Sequence, residues 1–229
     1  MSDDKQRKLF PTWRAVTAAV VAGAAAGAIA VYVSGGVAGN TTAAQDVVAV
    51  EDAGNACAAK ADRAKAVADA ATGEVAALLP ADPPVSLTAL TFNDPSGTPM
   101  SIADRAGKTV LLNLWATWCA PCRAEMPALD RLQQDAGGET FEVVAVNVDN
   151  GDNTKPNAFL EEVGVATLAR YRDPTLGIFN DLKKRGLALG LPVTLLIDDK
   201  GCLLAYMNGP AEWSSKDAHR VVAAAIGTP

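Results

Sequence analysis

Two cysteines separated by two residues are the part of this sequence best suited to chemistry. Cys119 and Cys122 follow the apolar run 110–115, which predicts a buried strand, and they open a stretch of helical character. Unpaired N–H groups and the positive dipole end of a helix N-terminus stabilise a thiolate, and a second sulfur one turn away can resolve a mixed disulfide. The spacing therefore predicts a redox-active dithiol with an exposed nucleophile.

The two sulfurs are expected to have different roles. Cys119, in the first turn, attacks a disulfide in a partner protein, and Cys122, one turn deeper and more buried, then displaces the mixed disulfide. The alternative is half of a zinc site, which needs two further ligands. Cys57, Cys202 and His219 are widely scattered and contain no second closely spaced pair, so we predict no metal site and no cofactor.

Length and charge limit the classes of fold and partner. The 229 residues are enough for one domain of about 150 residues with appendages. The 20 Lys and Arg residues are outnumbered by 26 Asp and Glu, and there is no basic run. Nucleic acid is therefore not an expected partner.

Residues 15–33 form an uncharged, apolar segment. At 1.5 Å per residue it would span most of a bilayer core of roughly 30 Å. Basic residues precede it and none follows until Lys60, so the positive-inside rule predicts cytoplasmic residues 1–14, a single-pass anchor and export of the rest. A cleaved signal peptide, for which 34–39 is only a weak cleavage site, and a buried soluble helix are the alternatives.

The exported part divides into three stretches. Residues 34–54 predict a flexible tether, and residues 55–84 predict an Ala-rich helix over 55–79, stopped by Pro80, with a proline-rich connector. Residues 85–229 alternate strand and helix patterns, which predicts an α/β domain with helices on the faces of a sheet. The predicted strands are 87–92, 109–115, 141–148, 193–198 and 203–207, and the predicted helices are 121–134, 155–163, 175–187 and 214–226.

The segment around the two cysteines resembles the active site of the thioredoxin superfamily. The motif Trp-Ala-Thr-Trp-Cys-Ala-Pro-Cys over 115–122, Pro127 five residues later, and Gly-Leu-Pro-Val-Thr over 190–194 carry the resemblance. It implies a thioredoxin-like fold, in which helices flank a central mixed β-sheet. The expected fold class is therefore α/β and thioredoxin-like, with an N-terminal transmembrane helix and a pre-domain helix added to it.

The same resemblance assigns a substrate groove. It implies that the Leu191–Pro192 peptide bond is cis and faces the cysteines, which makes Pro192 part of the catalytic site. The backbone of Leu191 would then pair with an extended substrate segment. Trp118, next to the nucleophile, is expected to be half exposed and to contact the substrate.

One position departs from the thioredoxin pattern. Cytoplasmic thioredoxins carry a buried Asp where this chain has Asn113, and an amide cannot take a proton from Cys122. Glu125 lies one helical turn after Cys122 and can face the sulfurs. The segment 122–127 resembles the extracytoplasmic thioredoxin-like reductases, which use a Glu here to modulate the cysteine pair. An ordinary solvated helix carboxylate is the alternative for Glu125.

Cys57 and Cys202 are not needed by this site. Free thiols are a liability in an oxidising compartment, and once Cys119 and Cys122 are paired, a structural Cys57–Cys202 disulfide is the remaining intramolecular choice. An intermolecular bridge through either cysteine is the alternative.

The features taken together resemble the TlpA-like thiol:disulfide interchange proteins of alpha-proteobacteria. The resemblance rests on the anchor, the helix bearing Cys57, the segment 113–130 and the Gly-Cys pair at 201–202 ahead of 209–213. It implies a reductase held in the inner membrane with its catalytic domain in the periplasm. Its partners would be periplasmic protein thiols and disulfides, such as copper-site proteins of cytochrome oxidase, and a transmembrane thiol carrier as electron donor.

Three other functions stay open at this point: a dithiol oxidase or isomerase, a reductase of cytochrome c maturation, and a non-enzymatic copper chaperone. The dipeptide between Cys119 and Cys122 carries no cation to hold the thiolate, which favours a reductant over an oxidant. Copper delivery usually recruits a third ligand such as His, and His219 is expected to face solvent on the last helix.

Overall fold

The structure, a computed structural model, describes residues 56–227. The predicted cytoplasmic residues 1–14, the anchor 15–33 and the tether 34–54 lie outside the described residues. Within residues 56–227, no helix combines the length and the apolar character needed to cross a membrane.

An eight-stranded mixed sheet forms the centre of the fold. Its strand order is β1-β8-β7-β4-β5-β6-β2-β3; β4, β5 and β6 run parallel to one another, and the other neighbours are antiparallel. The strands are β1 Leu79–Pro80, β2 Thr91–Asn93, β3 Pro99–Ser101, β4 Thr109–Trp115, β5 Phe141–Asn147, β6 Tyr171–Arg172, β7 Val193–Ile197 and β8 Leu203–Asn208.

Helices cover the sheet. Every residue of β4 and of β7 is buried, which requires packing on both faces of these strands. The helices are α1 Ala61–Ala70, α2 Ala120–Ala136, α3 Thr154–Glu162, α4 Gly177–Lys184 and α5 Lys216–Ile226, with 3-10 turns at Gly73–Val75 and Ile102–Arg105. This arrangement confirms the predicted thioredoxin-like α/β fold.

The pre-domain helix is shorter than predicted. We expected it to cover 55–79, but α1 ends at Ala70 and a 3-10 turn begins at Gly73. The chain leaves the helical path at Ala71, whose ψ is 85°, and Thr72 is extended; Gly73 then has a φ of +54°, in the left-handed region that favours glycine. Pro80 therefore does not stop the helix; it lies in the short edge strand β1, which pairs with β8.

The helix α1 is tied to the end of the sheet. It packs against α5 and β8, and a disulfide joins Cys57, just before it, to Cys202, just before β8. Both cysteines are buried. The guanidinium of Arg63 reaches the carboxylate of Asp199 at 3.2 Å, in the same turn as Cys202.

The predicted strand 87–92 is largely a turn. Leu87 and Leu90 are buried, but the N–H of Leu90 bonds to the carbonyl of Leu87, and the strand β2 begins only at Thr91. The two buried leucines are three residues apart and Ala89 between them is exposed, so burial here follows the turn and not the alternation of an extended strand.

Candidate active site

The cysteine pair lies where the central strand gives way to a helix. β4 ends at Trp115, and α2 begins at Ala120 with Cys119 as its N-cap residue. Cys119 and Cys122 are joined by a disulfide, so the structure shows the oxidised form. The Sγ of Cys119 accepts a hydrogen bond from the backbone N–H of Cys122 at 3.2 Å, one of the free donors of the helix N-terminus.

The two sulfurs are both buried in this oxidised form. Cys122 has no exposed surface, in line with its predicted depth, while Cys119 is only 4% exposed. The expectation of an exposed nucleophile is therefore wrong for the disulfide state. The exposed residue is Trp118, at 70%, which projects further into solvent than the half exposure predicted.

The Leu191–Pro192 bond is cis, and register places it beside the cysteines. In the antiparallel pairing of β4 with β7, Leu114 lies opposite Val193, so the residues just before Val193 share an edge of the sheet with the residues just after Leu114. The carbonyl of Pro192 accepts from the N–H of Gly209. Within residues 56–227, the main chain of Leu191 has no hydrogen-bond partner, which leaves it available to a further strand.

The loop before the cis bond is held in place by β8. The amide of Asn208 accepts from the N–H of Leu189 at 2.7 Å and donates to the carbonyl of Leu187 at 3.1 Å. Leu189 itself is largely exposed. The backbone that leads to the cis proline is therefore fixed by a side chain that sequence reasoning did not single out.

Glu125 is a buried carboxylate, only 2% exposed, so the solvated alternative is wrong. Its Oε1 accepts from Nδ2 of Asn113 at 2.9 Å, and its Oε2 accepts from Nε1 of Trp213 at 3.1 Å and from the N–H of Ala211 at 3.3 Å. Burial raises the pKa of Glu125 to about 7, against the lowering effect of these three donors. A carboxyl group with that pKa can gain or lose a proton near neutral pH.

The indole of Trp213 is a contact that sequence reasoning missed. Trp213 is fully buried, and nothing in the sequence indicated that its N–H would meet a carboxylate 88 residues away.

A second buried network holds the loop that carries the cysteines. The carboxylate of Asp149 accepts from the N–H of Thr117 at 2.9 Å and from the amide of Asn147 at 2.9 Å. The guanidinium of Arg172, on β6, donates to the carbonyl of Asp149 and to Oδ1 of Asn147. The strand ends next to β4 thus fix the loop two residues before Cys119, a role that the turn-like sequence around Asp149 did not reveal.

The described residues offer no cluster of three or more His, Cys, Asp or Glu side chains suited to hold a metal ion. His219 lies on α5, partly exposed, with Nε2 3.6 Å from a carboxylate oxygen of Asp135. His219 lies on the last helix, as predicted, but it is only partly exposed and does not face solvent fully.

Comparisons with known proteins agree with this geometry. Residues 80–223 match the family model for Redoxin. The chain is 38% identical over 113 residues to the thioredoxin-like protein YneN of Bacillus subtilis, which covers 47% of this chain and 61% of that protein. It is 38% identical over 117 residues to the thiol:disulfide interchange protein HelX of Rhodobacter capsulatus, covering 49% and 59% respectively. The chain therefore spans about six tenths of the length of these curated relatives.

A solved structure gives the same picture. A thioredoxin-family thiol:disulfide interchange protein of Chlorobium tepidum superposes with a TM-score of 0.52 at 25% identity, covering 63% of this chain and 97% of that one. The match thus takes in nearly all of that protein.

Proposed function

This chain belongs to the Redoxin family, and from that premise we propose that it is a thiol:disulfide oxidoreductase that reduces disulfides in partner proteins. The observation that carries the proposal is the Cys119–Cys122 disulfide at the start of α2, next to a cis Leu191–Pro192 bond at which the main chain of Leu191 has no partner among residues 56–227. Two of the similar proteins, from Rhodobacter capsulatus and Chlorobium tepidum, are named thiol:disulfide interchange proteins, which supports the same chemistry.

The reaction starts from the reduced form. The thiolate of Cys119 attacks one sulfur of a partner disulfide, forming a Cys119–partner bond and releasing the partner's other sulfur as a thiolate. The helix N-terminus, with the N–H of Cys122 directed at Sγ of Cys119, stabilises the negative sulfur before attack. An extended segment of the partner pairs with the backbone of Leu191, and Trp118 contacts it.

The second step closes the site. Cys122 loses its proton and attacks Sγ of Cys119, which releases the partner's cysteine and leaves the intramolecular disulfide seen here. Glu125, one turn further along α2, accepts that proton, since its raised pKa lets it act as a base near pH 7. Two electrons pass from this chain to the partner, and an external thiol donor must restore the dithiol.

We further propose a TlpA-like reductase anchored in the inner membrane and working in the periplasm. The support is the uncharged segment 15–33 with basic residues on its N-terminal side. The proposed partners are periplasmic protein thiols and disulfides, such as those of copper-site proteins of cytochrome oxidase, with a transmembrane thiol carrier as electron donor. Fractionation of cells, followed by protease treatment of spheroplasts, tests the location: a soluble or protease-protected domain contradicts it.

A trapping experiment tests the proposed activity. Cys122→Ser leaves the nucleophile but removes the sulfur that resolves the mixed disulfide, so partner proteins should accumulate on Cys119 and be released by a reductant. Cys119→Ser is the matched control and should trap nothing. If the first variant captures no partner and the unaltered chain does not reduce insulin disulfides, the proposal fails.

The direction of electron flow has its own test. The strongly oxidising periplasmic enzymes have a reduction potential of about −120 mV, and a reductase needs a potential well below that value. The potential of Cys119–Cys122 follows from equilibration with glutathione buffers. A potential of about −120 mV would identify an oxidase with the same fold and would contradict the proposed reductase function.

A further inference from the structure

The side-chain oxygen of Asn113 is a buried polar atom with no hydrogen-bond partner among residues 56–227. Asn113 is fully buried in the middle of β4, and both hydrogen bonds of its amide run through the nitrogen. Nδ2 donates to Oε1 of Glu125 and to Oγ1 of Thr194, each at 2.9 Å. An unsatisfied buried oxygen is rare in a folded protein, so this arrangement calls for a reason.

The side of the amide that faces Glu125 decides which form of the carboxyl is favoured. An N–H pointed at Oε1 stabilises the carboxylate, whereas the amide turned by 180° would point its oxygen there and stabilise the protonated acid. The amide turned in that way would also leave two N–H donors in the place where one oxygen is now unpaired. The environment of Asn113 therefore selects between two proton states of Glu125.

Thr194 is the residue placed to make that selection. It lies directly opposite Asn113 in the antiparallel pairing of β7 with β4, and it is fully buried. Its hydroxyl accepts the second N–H of the Asn113 amide, so both donors of the nitrogen are satisfied when the first is directed at Glu125. Opposed residues in a sheet have fixed separation, which gives this contact little freedom to change.

We propose that Thr194 is a positioning residue that acts through Asn113: its hydroxyl holds the amide N–H against Glu125 and so keeps Glu125 ready to accept a proton. The inference rests on the proposed function, in which Glu125 takes the proton of Cys122. It goes beyond that function because, among the described residues, Thr194 forms no hydrogen bond with a sulfur or with the carboxyl group and is linked to Glu125 through Asn113.

The other groups around Glu125 leave this role to the amide. From the segment before α5, Ala211 and Trp213 direct neutral N–H donors at Oε2, and from β4 only the amide of Asn113 reaches Oε1. No charged side chain of the described residues contributes to its pKa. On its own helix, Cys119 and Cys122 become titratable only after reduction, so the oxidised protein isolates the titration of the carboxyl group.

The test compares three buried threonine variants in the oxidised protein. Thr194→Val keeps the shape and loses the hydroxyl, and Thr194→Ser keeps the hydroxyl. Thr109→Val places the same change at the first residue of β4, away from Asn113. The readout is the infrared carbonyl band of a protonated carboxylic acid, followed from pH 5 to pH 9 and assigned to Glu125 by its loss in Glu125→Gln. Thr194→Ala takes the place of the valine variant if that variant does not fold.

We expect the pKa of Glu125 to rise by roughly half to one unit in Thr194→Val. Losing one of the hydrogen bonds that connect Thr194, Asn113 and Glu125 costs about 1 kcal/mol. In Thr194→Ser and in Thr109→Val, the pKa of Glu125 should be the same as in the unaltered protein. The proposal is overturned if Thr194→Val does not shift, or if Thr194→Ser shifts as far as Thr194→Val. The reduced, unaltered protein is assayed separately for reduction of a small aromatic disulfide. A failure of the proposed activity is then distinguished from a failure of the infrared test on Glu125.

Discussion

Glu125 and Asp130 lie on the same helix and are both largely shielded from solvent, at 2% and 4% exposure, yet their net pKa values are shifted in opposite directions. Asp130 accepts hydrogen bonds from the backbone N–H groups of 166–168 and from the hydroxyl of Thr167 at 2.7 Å. Burial raises the pKa of Asp130, but the donors together lower it by more than burial raises it. The net pKa therefore lies below the ordinary value. Burial raises the pKa of Glu125 to about 7, and its three donors do not compensate.

The difference shows that the number of hydrogen-bond donors, together with the strength of desolvation, decides what a buried carboxylate can do. Asp130 is held as an anion that connects α2 to the segment 166–168, and its lowered pKa keeps it deprotonated near neutral pH. Glu125 has fewer donors, one of them the amide of Asn113. Its pKa of about 7 lets it accept a proton near neutral pH. One helix thus carries a structural anion and a candidate base.

Replacing Asp130 should have the largest effect on stability. Asp130→Ala leaves several buried N–H groups without an acceptor, and we expect the free energy of unfolding to fall by about 3 to 4 kcal/mol at pH 7. Because the pKa of Asp130 is lowered on folding, this stabilisation is present above about pH 4 and lost as the pH falls through the lowered pKa. Urea unfolding at pH 7 and pH 3 checks both parts, and equal losses at the two pH values would contradict the assignment.

Glu125→Gln should change stability with the opposite dependence on pH. A folded pKa of about 7, above the unfolded value of 4.5, means that the contribution of Glu125 is full below pH 4.5 and lost as the pH rises through 7. The glutamine variant should match the unaltered chain near pH 4 and exceed it by up to about 3 kcal/mol at pH 9. Parallel stability curves for the two oxidised proteins would show that the raised pKa is wrong.

The same substitution should slow the reaction. Without a proton acceptor near Cys122, Glu125→Gln should reduce disulfides about 10- to 100-fold more slowly at pH 7, and its rate should depend less on pH between 6 and 8. Stopped-flow reduction of a small aromatic disulfide measures this. Asp130→Asn is the control on the same helix, and a comparable loss there would mean that any change in α2 impairs the site.

Thr167→Val gives the smallest effect and isolates one donor of Asp130. The hydroxyl of Thr167 donates to Oδ1 of Asp130, and its loss should lower the free energy of unfolding by about 1 kcal/mol. Thr167→Ser should restore the stability. If the valine variant is as stable as the unaltered chain, the backbone donors alone account for the state of Asp130.

The long, buried elements of this fold were predictable from sequence. The strand β4 was predicted to the residue, because an apolar run buried on both faces has a clear beginning and end. The two-residue strands β1 and β6 were missed, since two residues carry no periodicity. They are extended only because β8, β2 and β5 lie next to them.

The candidate site divides in the same way. The Cys119–Cys122 motif and the cis-proline segment can be read locally, because their chemistry resides in neighbouring residues. The surroundings of Glu125 cannot, since its donors on Ala211 and Trp213 lie 86 and 88 residues away and meet it only through the packing of the segment before α5. The link from Asp149 to Thr117 spans 32 residues and was likewise not predicted.

The disulfide between Cys57 and Cys202 makes most of the described chain a covalent ring. It joins residues 145 positions apart, and Cys119, Glu125 and Pro192 all lie inside that ring, whereas Trp213 lies on the tail that follows it. A single cut of the backbone anywhere in the ring, for example in the loop 149–153, leaves the two pieces covalently joined. A nicked molecule would therefore keep its cysteine pair and its proline segment in one particle, and would migrate as an intact chain until a reductant opened the ring.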